Sequence, residues 1–254
     1  GSHMIRSGLL IGATPPLAAA VLAAASLSAP SAANASPVYS VEAVMTGLSN
    51  PRGLAFGPDG GLYVAEAGVG GTGGSILSGA GQTTYYGASG GISRLLGGVQ
   101  SRVAAGLPSL ATPGGGEAIG PQDIAFDDAG NLHAVIGLGA DPAQRAPDLG
   151  AGAELLGHLV RLDGGSAVPV ADISGYEVSD NPGGPPTDSN PFSLLRKGDG
   201  FILSDAGGNS VLNVAGDGAI STIAVLPRTP NPLPFGPPAY DPVPTGFILS
   251  DAGG

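Results

Sequence analysis

Residues 51–68 read PRGLAFGPDGGLYVAEAG: an apolar run, a turn built of Pro, Asp and Gly, and a second apolar run. Asp and Gly between two apolar runs form the short-range signal of a β-hairpin, because glycine accepts the positive φ that a tight turn needs. The pattern returns as PQDIAFDDAGNLHAVIG from Pro121 and as PFSLLRKGDGFILSDAGG from Pro191, so three hairpins begin at a constant offset of 70 residues. A third strand follows each hairpin, in GGISRL from Gly90, GHLVRLD from Gly157 and NSVLNVAGDG from Asn209. A fourth closes each unit: RVAAGLP from Arg102, AVPVADI from Ala167 and AISTIAVLP from Ala219. Four short antiparallel strands recurring at a fixed long period predict an all-β chain of β-propeller blades. A β-sandwich is the competing all-β architecture, but sandwiches show no such register of turns.

Composition agrees with this reading. The 254 residues include 46 Gly and 24 Pro, which suits many tight turns and nearly excludes long helices. Disorder is excluded because 42% of residues are hydrophobic and only 11% are charged. The formal net charge of −11, with no cluster of Lys or Arg, argues against nucleic acid and anionic lipid as partners. With no Cys, the chain has neither disulfides nor thiolate chemistry.

The ends differ from the middle. Gly1 to His3 resemble a protease scar, and residues 4–35 carry an export signature: Arg6, the unbroken small and apolar stretch Leu17 to Leu27, and the small residues Ala33-Asn34-Ala35. That apolar stretch, preceded by Pro15-Pro16, is shorter than the ~20 residues that span a bilayer, so the expectation is a cleaved signal peptide and a secreted chain starting at Ser36. Blades are then expected over residues 36–226, and a Pro-rich connection with a repeated strand over 227–254. The nonamer GFILSDAGG at 246–254 repeats residues 200–208 without a change. It reads either as the trace of recombination or truncation, leaving a chain without activity of its own, or as a closing strand for another copy.

Residues 51–68 resemble the opening blade of the ScyD/ScyE family, secreted propellers related to NHL-repeat proteins, and the likeness extends over most of residues 40–245, including NPLPFGPPAYDPVPTG from Asn231. The resemblance implies a six-bladed ring of poorly defined biochemical role. Only about three blades fit in this chain, and a propeller ring takes at least four. The expectation is half a ring, whose open blade edges invite pairing with a second copy.

Aligning the hairpins by their turns puts Glu66, Asp205 and Asp251 at one position, with Ile136 there in the second unit. Acids from successive blades that converge on a central channel could hold a divalent cation, as in lactonase-type propellers, with amide oxygens from Gln122, Asn190 or Asn209. The candidate metal set is Glu66, Asp205 and Asn209, for calcium or another divalent cation in a hydrolase. The competing expectation is that these acids bind backbone N–H groups at blade turns or interact with Arg52. Other motifs are weaker. Ser89 in GASGG lacks the strand-turn-helix setting of a nucleophile elbow. His133 and His158 read as exposed strand residues, and DDAGN and GDG read as turns. The prolines from Pro227 to Pro244 read as a rigid connection. With no catalytic residues and no cofactor assigned, the leading expectation is a binding scaffold for a protein, glycan or small molecule.

Overall fold

The computed structural model describes residues 40–250, so the leader 4–35 and Asp251 lie outside the described residues. Every element among the described residues lies after Val44. Blade 1 comprises β1 (Pro51–Phe56), β2 (Leu62–Glu66), β3 (Ser75–Leu77), β4 (Thr83–Leu96) and β5 (Val99–Ala111). Its main strands run β1-β2-β4-β5, all antiparallel, while β3 pairs with the start of the long β4. Blade 2 is the meander β6 (Pro121–Phe126), β7 (Leu132–Ile136), β8 (His158–Asp163), β9 (Ser166–Asp172). Blade 3 repeats it with β10 (Pro191–Lys197), β11 (Gly200–Asp205), β12 (Ser210–Val214) and β13 (Ile220–Val225). These are β-propeller blades, with the 70-residue period intact.

The turns work as their residues require. Gly60, Gly130 and Gly198 take φ of 78°, 80° and 61° in the three first hairpins. Asp59 Oδ1 accepts from the Gly61 N–H at 2.9 Å, and Asp127 Oδ1 accepts from the Asn131 N–H at 2.8 Å, so the turn acids serve their own backbone. Between blades 2 and 3 lies a short helix absent from the sequence expectation, α1 (Ile173–Asp180). Asp172 caps it by accepting from the Gly175 N–H at 2.8 Å, and Asn181 ends it in the left-handed region at φ 38°.

The core lies between blades. Tyr63, Ala65 and Ile92 of blade 1 meet Ile124, Ala134 and Ile136 of blade 2, and the Tyr63 and Phe126 rings meet edge-on at 5.0 Å. Val135, Leu159 and Ile173 meet Leu194, Leu203 and Leu212 of blade 3. Each fully buried Ile, Leu or Val among them contributes about 1.5–3 kcal/mol. His133 departs from the expectation of exposure: it is buried, its ring 4.6 Å from that of Phe201, because a blade face that meets another blade has no solvent side.

The first strands of neighbouring blades pack against one another. Asp123 on β6 joins two of them, its Oδ2 accepting from the Leu194 N–H of β10 at 2.8 Å. Gly53 on β1 leaves this carboxylate its room, since a Cβ there would collide with Asp123 Oδ1. The equivalent positions Leu54, Ile124 and Leu194, each paired with the middle of its second strand, are 61%, 3% and 5% exposed. A preceding blade covers the second and third, and the first stands open beside exposed Phe56.

After blade 3, β14 (Thr229–Pro230) pairs with β15 (Ala239–Tyr240) in the Pro-rich segment. Residues 246–250, the described part of the second nonamer copy, form no strand, although their counterparts 200–204 lie in β11 and are all buried.

Candidate functional site

Glu66 and Asp205 occupy equivalent places: Pro51 pairs with Glu66 and Pro191 with Asp205, while Pro121 pairs with Ile136. Each carboxylate fastens the segment that enters its own blade. Glu66 accepts from the Ser49 N–H (2.7 Å), the Ser93 hydroxyl (2.5 Å) and Arg102 (2.7 Å). Asp205 accepts from the Ser189 hydroxyl (2.7 Å) and from the N–H groups of Asn190 (2.6 Å), Gly207 (3.1 Å) and Gly208 (3.0 Å). Asn209 donates to Asp241 at 3.0 Å and accepts from the Val243 N–H at 3.4 Å. The three side chains share no partner. Among the described residues no three His, Asp or Glu side chains gather in a metal-ligating arrangement.

The structure instead opens a cleft of about 370 Å³ where the three first strands begin. In each of these strands the pairing slips by one residue just after its proline, between Pro51 and Leu54, Pro121 and Asp123, and Pro191 and Ser193. Such a bulge redirects a side chain. The residue after each proline, Arg52, Gln122 or Phe192, lines the cleft, joined by Ile119, Asp188 and Asn190. A recess of about 220 Å³ adjoins and shares Asp188 with it.

Three oxygens around this cleft are buried without a hydrogen-bond partner: Gln122 Oε1, Asn190 Oδ1 and Asp188 Oδ1. Gln122 is only 2% exposed. The amides lie together, for a Cβ at Gly137 would collide with Asn190 Oδ1 and stand 3.2 Å from Gln122 Nε2. Asp188 lines the same cleft, and a Cβ at Gly207 would lie 2.9 Å from both Asp188 Oδ1 and the Asn190 backbone nitrogen. Burial costs such acceptors free energy unless something donates to them.

Acidic groups gather behind the cleft. Burial, with Asp205, Asp241 and Asp141 adding to it, pushes the Asp188 carboxyl up to about 6. Glu177 on α1 lies deeper, 1% exposed with neither oxygen partnered, and burial beside Asp205 and Asp188 pushes it to about 8. Sequence reasoning named Gln122 and Asn190 as oxygen donors but overlooked Asp188 and Glu177, which lie outside the repeated hairpins.

Among the described residues, Ser89, His133 and His158 are engaged elsewhere than in a nucleophile–base pair. The Ser89 hydroxyl donates to the Gly70 carbonyl and accepts from the Val69 N–H, tying a loop of blade 1. Burial lowers the pKa of both His133 and His158, and His158 Nδ1 lies 3.7 Å from Asp172. Neither imidazole is hydrogen-bonded to a hydroxyl among the described residues.

No family model and no curated protein matches the chain. Among solved structures, it is similar to a catalytically inactive virginiamycin B lyase of Staphylococcus aureus bound to quinupristin, at 13% identity and TM-score 0.33, over 73% of this chain and 57% of that one. An oxidoreductase (glucose dehydrogenase) of Thermus thermophilus aligns at 24% identity and TM-score 0.32, over 68% of this chain and 63% of that one. The PQQ-bound aldose sugar dehydrogenase of Streptomyces coelicolor aligns at 17% identity and TM-score 0.32, over 72% and 84%. The chain thus spans less than two thirds of the first two. The blade assignment rests on the three sheets themselves, and the activities of these proteins are theirs alone.

Proposed function

We propose that this chain is a secreted β-propeller scaffold, akin to the ScyD/ScyE group, that binds a ligand in the cleft at the start of its first strands without transforming it. The observation that carries the reading is the set of three unpartnered buried oxygens, on Gln122, Asn190 and Asp188, beside an open cleft. A concave site with apolar walls and a few convergent polar groups is the usual form of a small-molecule site. A small molecule is therefore favoured over a protein or glycan. The absence of an assembled nucleophile and base among the described residues favours binding over turnover, and since propellers host many functions it is the site that distinguishes them.

A thermal-shift screen of small polar compounds tests this. Binders that raise the melting temperature and lose their effect in Phe192→Ala are the expected result. Chemical conversion of a bound compound overturns the non-catalytic part. Stoichiometric calcium or zinc retained through dialysis, measured by elemental analysis, favours the metal-dependent hydrolase instead.

Self-association belongs to the same reading. Leu54 and Phe56 present on blade 1 a face that its counterparts bury against a preceding blade. The partner that fits such a face is another blade of the same kind, here one from a second copy.

A further inference from the structure

The ligand's chemistry follows from what the cleft lacks, an inference that rests on the cleft being the binding site. Gln122 Oε1, Asn190 Oδ1 and Asp188 Oδ1 are all acceptors and all unpartnered. Among the described residues no cation pairs with Asp188, since Arg228 is engaged by Asp241 at 2.5 Å. Arg52, on the cleft wall, donates to the Ala118 carbonyl at 2.7 Å and keeps its charge, but Glu117, Asp188 and Asp241 on the same lining outnumber it. The cleft therefore offers acceptors and negative charge to an incoming group that brings donors and positive charge. A bare metal ion fits less well, because no three acidic or imidazole side chains gather in ligating geometry among the described residues. The volume of about 370 Å³ and the apolar walls at Ile119 and Phe192 also exceed what an ion needs.

We propose that the cleft takes an organic cation with a primary ammonium head and a short apolar body, the head donating to Asp188, Asn190 and Gln122 and the body lying along Ile119 and Phe192. An ammonium carries three N–H donors, one for each unpartnered oxygen. Hydrogen bonds to a charged group are the stronger kind, and these would form where water is partly excluded.

Calorimetric titration with n-hexylammonium chloride, against neutral 1-hexanol and calcium chloride, tests the assignment at pH near 7. The expected result is saturable single-site binding of hexylammonium, little heat from hexanol, and affinity lowered about tenfold or more in Asp188→Asn and in Gln122→Leu. Circular dichroism confirms that each variant is folded, and the two substitutions act independently should one fail. Hexanol binding as tightly as hexylammonium, or unchanged affinity in both folded variants, overturns the cation assignment. Displacement of hexylammonium by stoichiometric calcium replaces it with a metal. Failure of hexylammonium, while neutral or anionic fragments give saturation-transfer signals lost in Phe192→Ala, overturns the cation but leaves the cleft as the site. Silence from all fragments overturns both.

Discussion

Neither oxygen of the Glu177 carboxyl finds a donor, although the residue is almost wholly buried. Gly208 separates it from Asp205: a Cβ there would lie 2.8 Å from Glu177 Oε2 and 3.2 Å from Asp205 Cγ. Its carboxyl rises from the ordinary 4.5 to about 8, so between those values the folded chain holds a proton that the unfolded chain releases. Stability from this group is therefore full below the lower value and declines as pH rises through the upper one. Glu177→Gln keeps the shape and removes the titration. Its melting temperature is expected to fall less than the parent's as pH rises across that window, and to exceed the parent's above it, as followed by circular dichroism. Equal pH slopes for parent and variant would contradict the assignment. Burial raises the Asp205 carboxyl as well, but unlike Glu177 it has four donors converging on it, and these oppose the rise.

At the scale of elements, identical sequence meets two fates. Leu203 in β11 is fully buried between neighbouring strands and blade 2, whereas Leu249, its counterpart in the repeated nonamer, is partly exposed and in no strand. Leu203→Ala is expected to cost about 2–5 kcal/mol. Leu249→Ala is expected to cost about 0.5 kcal/mol or less, and denaturant melts of the two variants measure the contrast. A strand segment here depends on its neighbours for its structure. The same dependence explains what could be read in advance. The three hairpins and their third and fourth strands were legible because turn residues and alternation are local. β3 was not, since three residues carry too little periodicity, and α1 was not, since its one strong signal is the Asp172 cap. The oxygen donors Gln122 and Asn190 were visible as residue types beside repeated prolines. Their lack of partners emerges only when Gly137 brings the two amides together.

For the whole molecule, the unequal exposure of Leu54, Ile124 and Leu194 sets the expectation in solution. Covering the face of Leu54 and Phe56 with another blade would gain about 1.5–3 kcal/mol for each side chain fully buried, before the cost of association. Light scattering across a concentration series is expected to show reversible growth in mass, and Leu54→Asp with Phe56→Glu to leave a folded monomer. A mass unchanged over the series would show that this open face tolerates water.

The bulge after each repeated proline has a further consequence, for how such a scaffold diversifies. The slip occurs just after the proline in all three blades and leaves Arg52, Gln122 and Phe192 on the cleft wall, while the nearby Ile124 and Leu194 serve the blade stack. Cleft wall and blade packing are thus written at separate letters of one repeat. Exchange of the three wall residues could retune ligand preference blade by blade, much as a combination lock is reset without rebuilding its case.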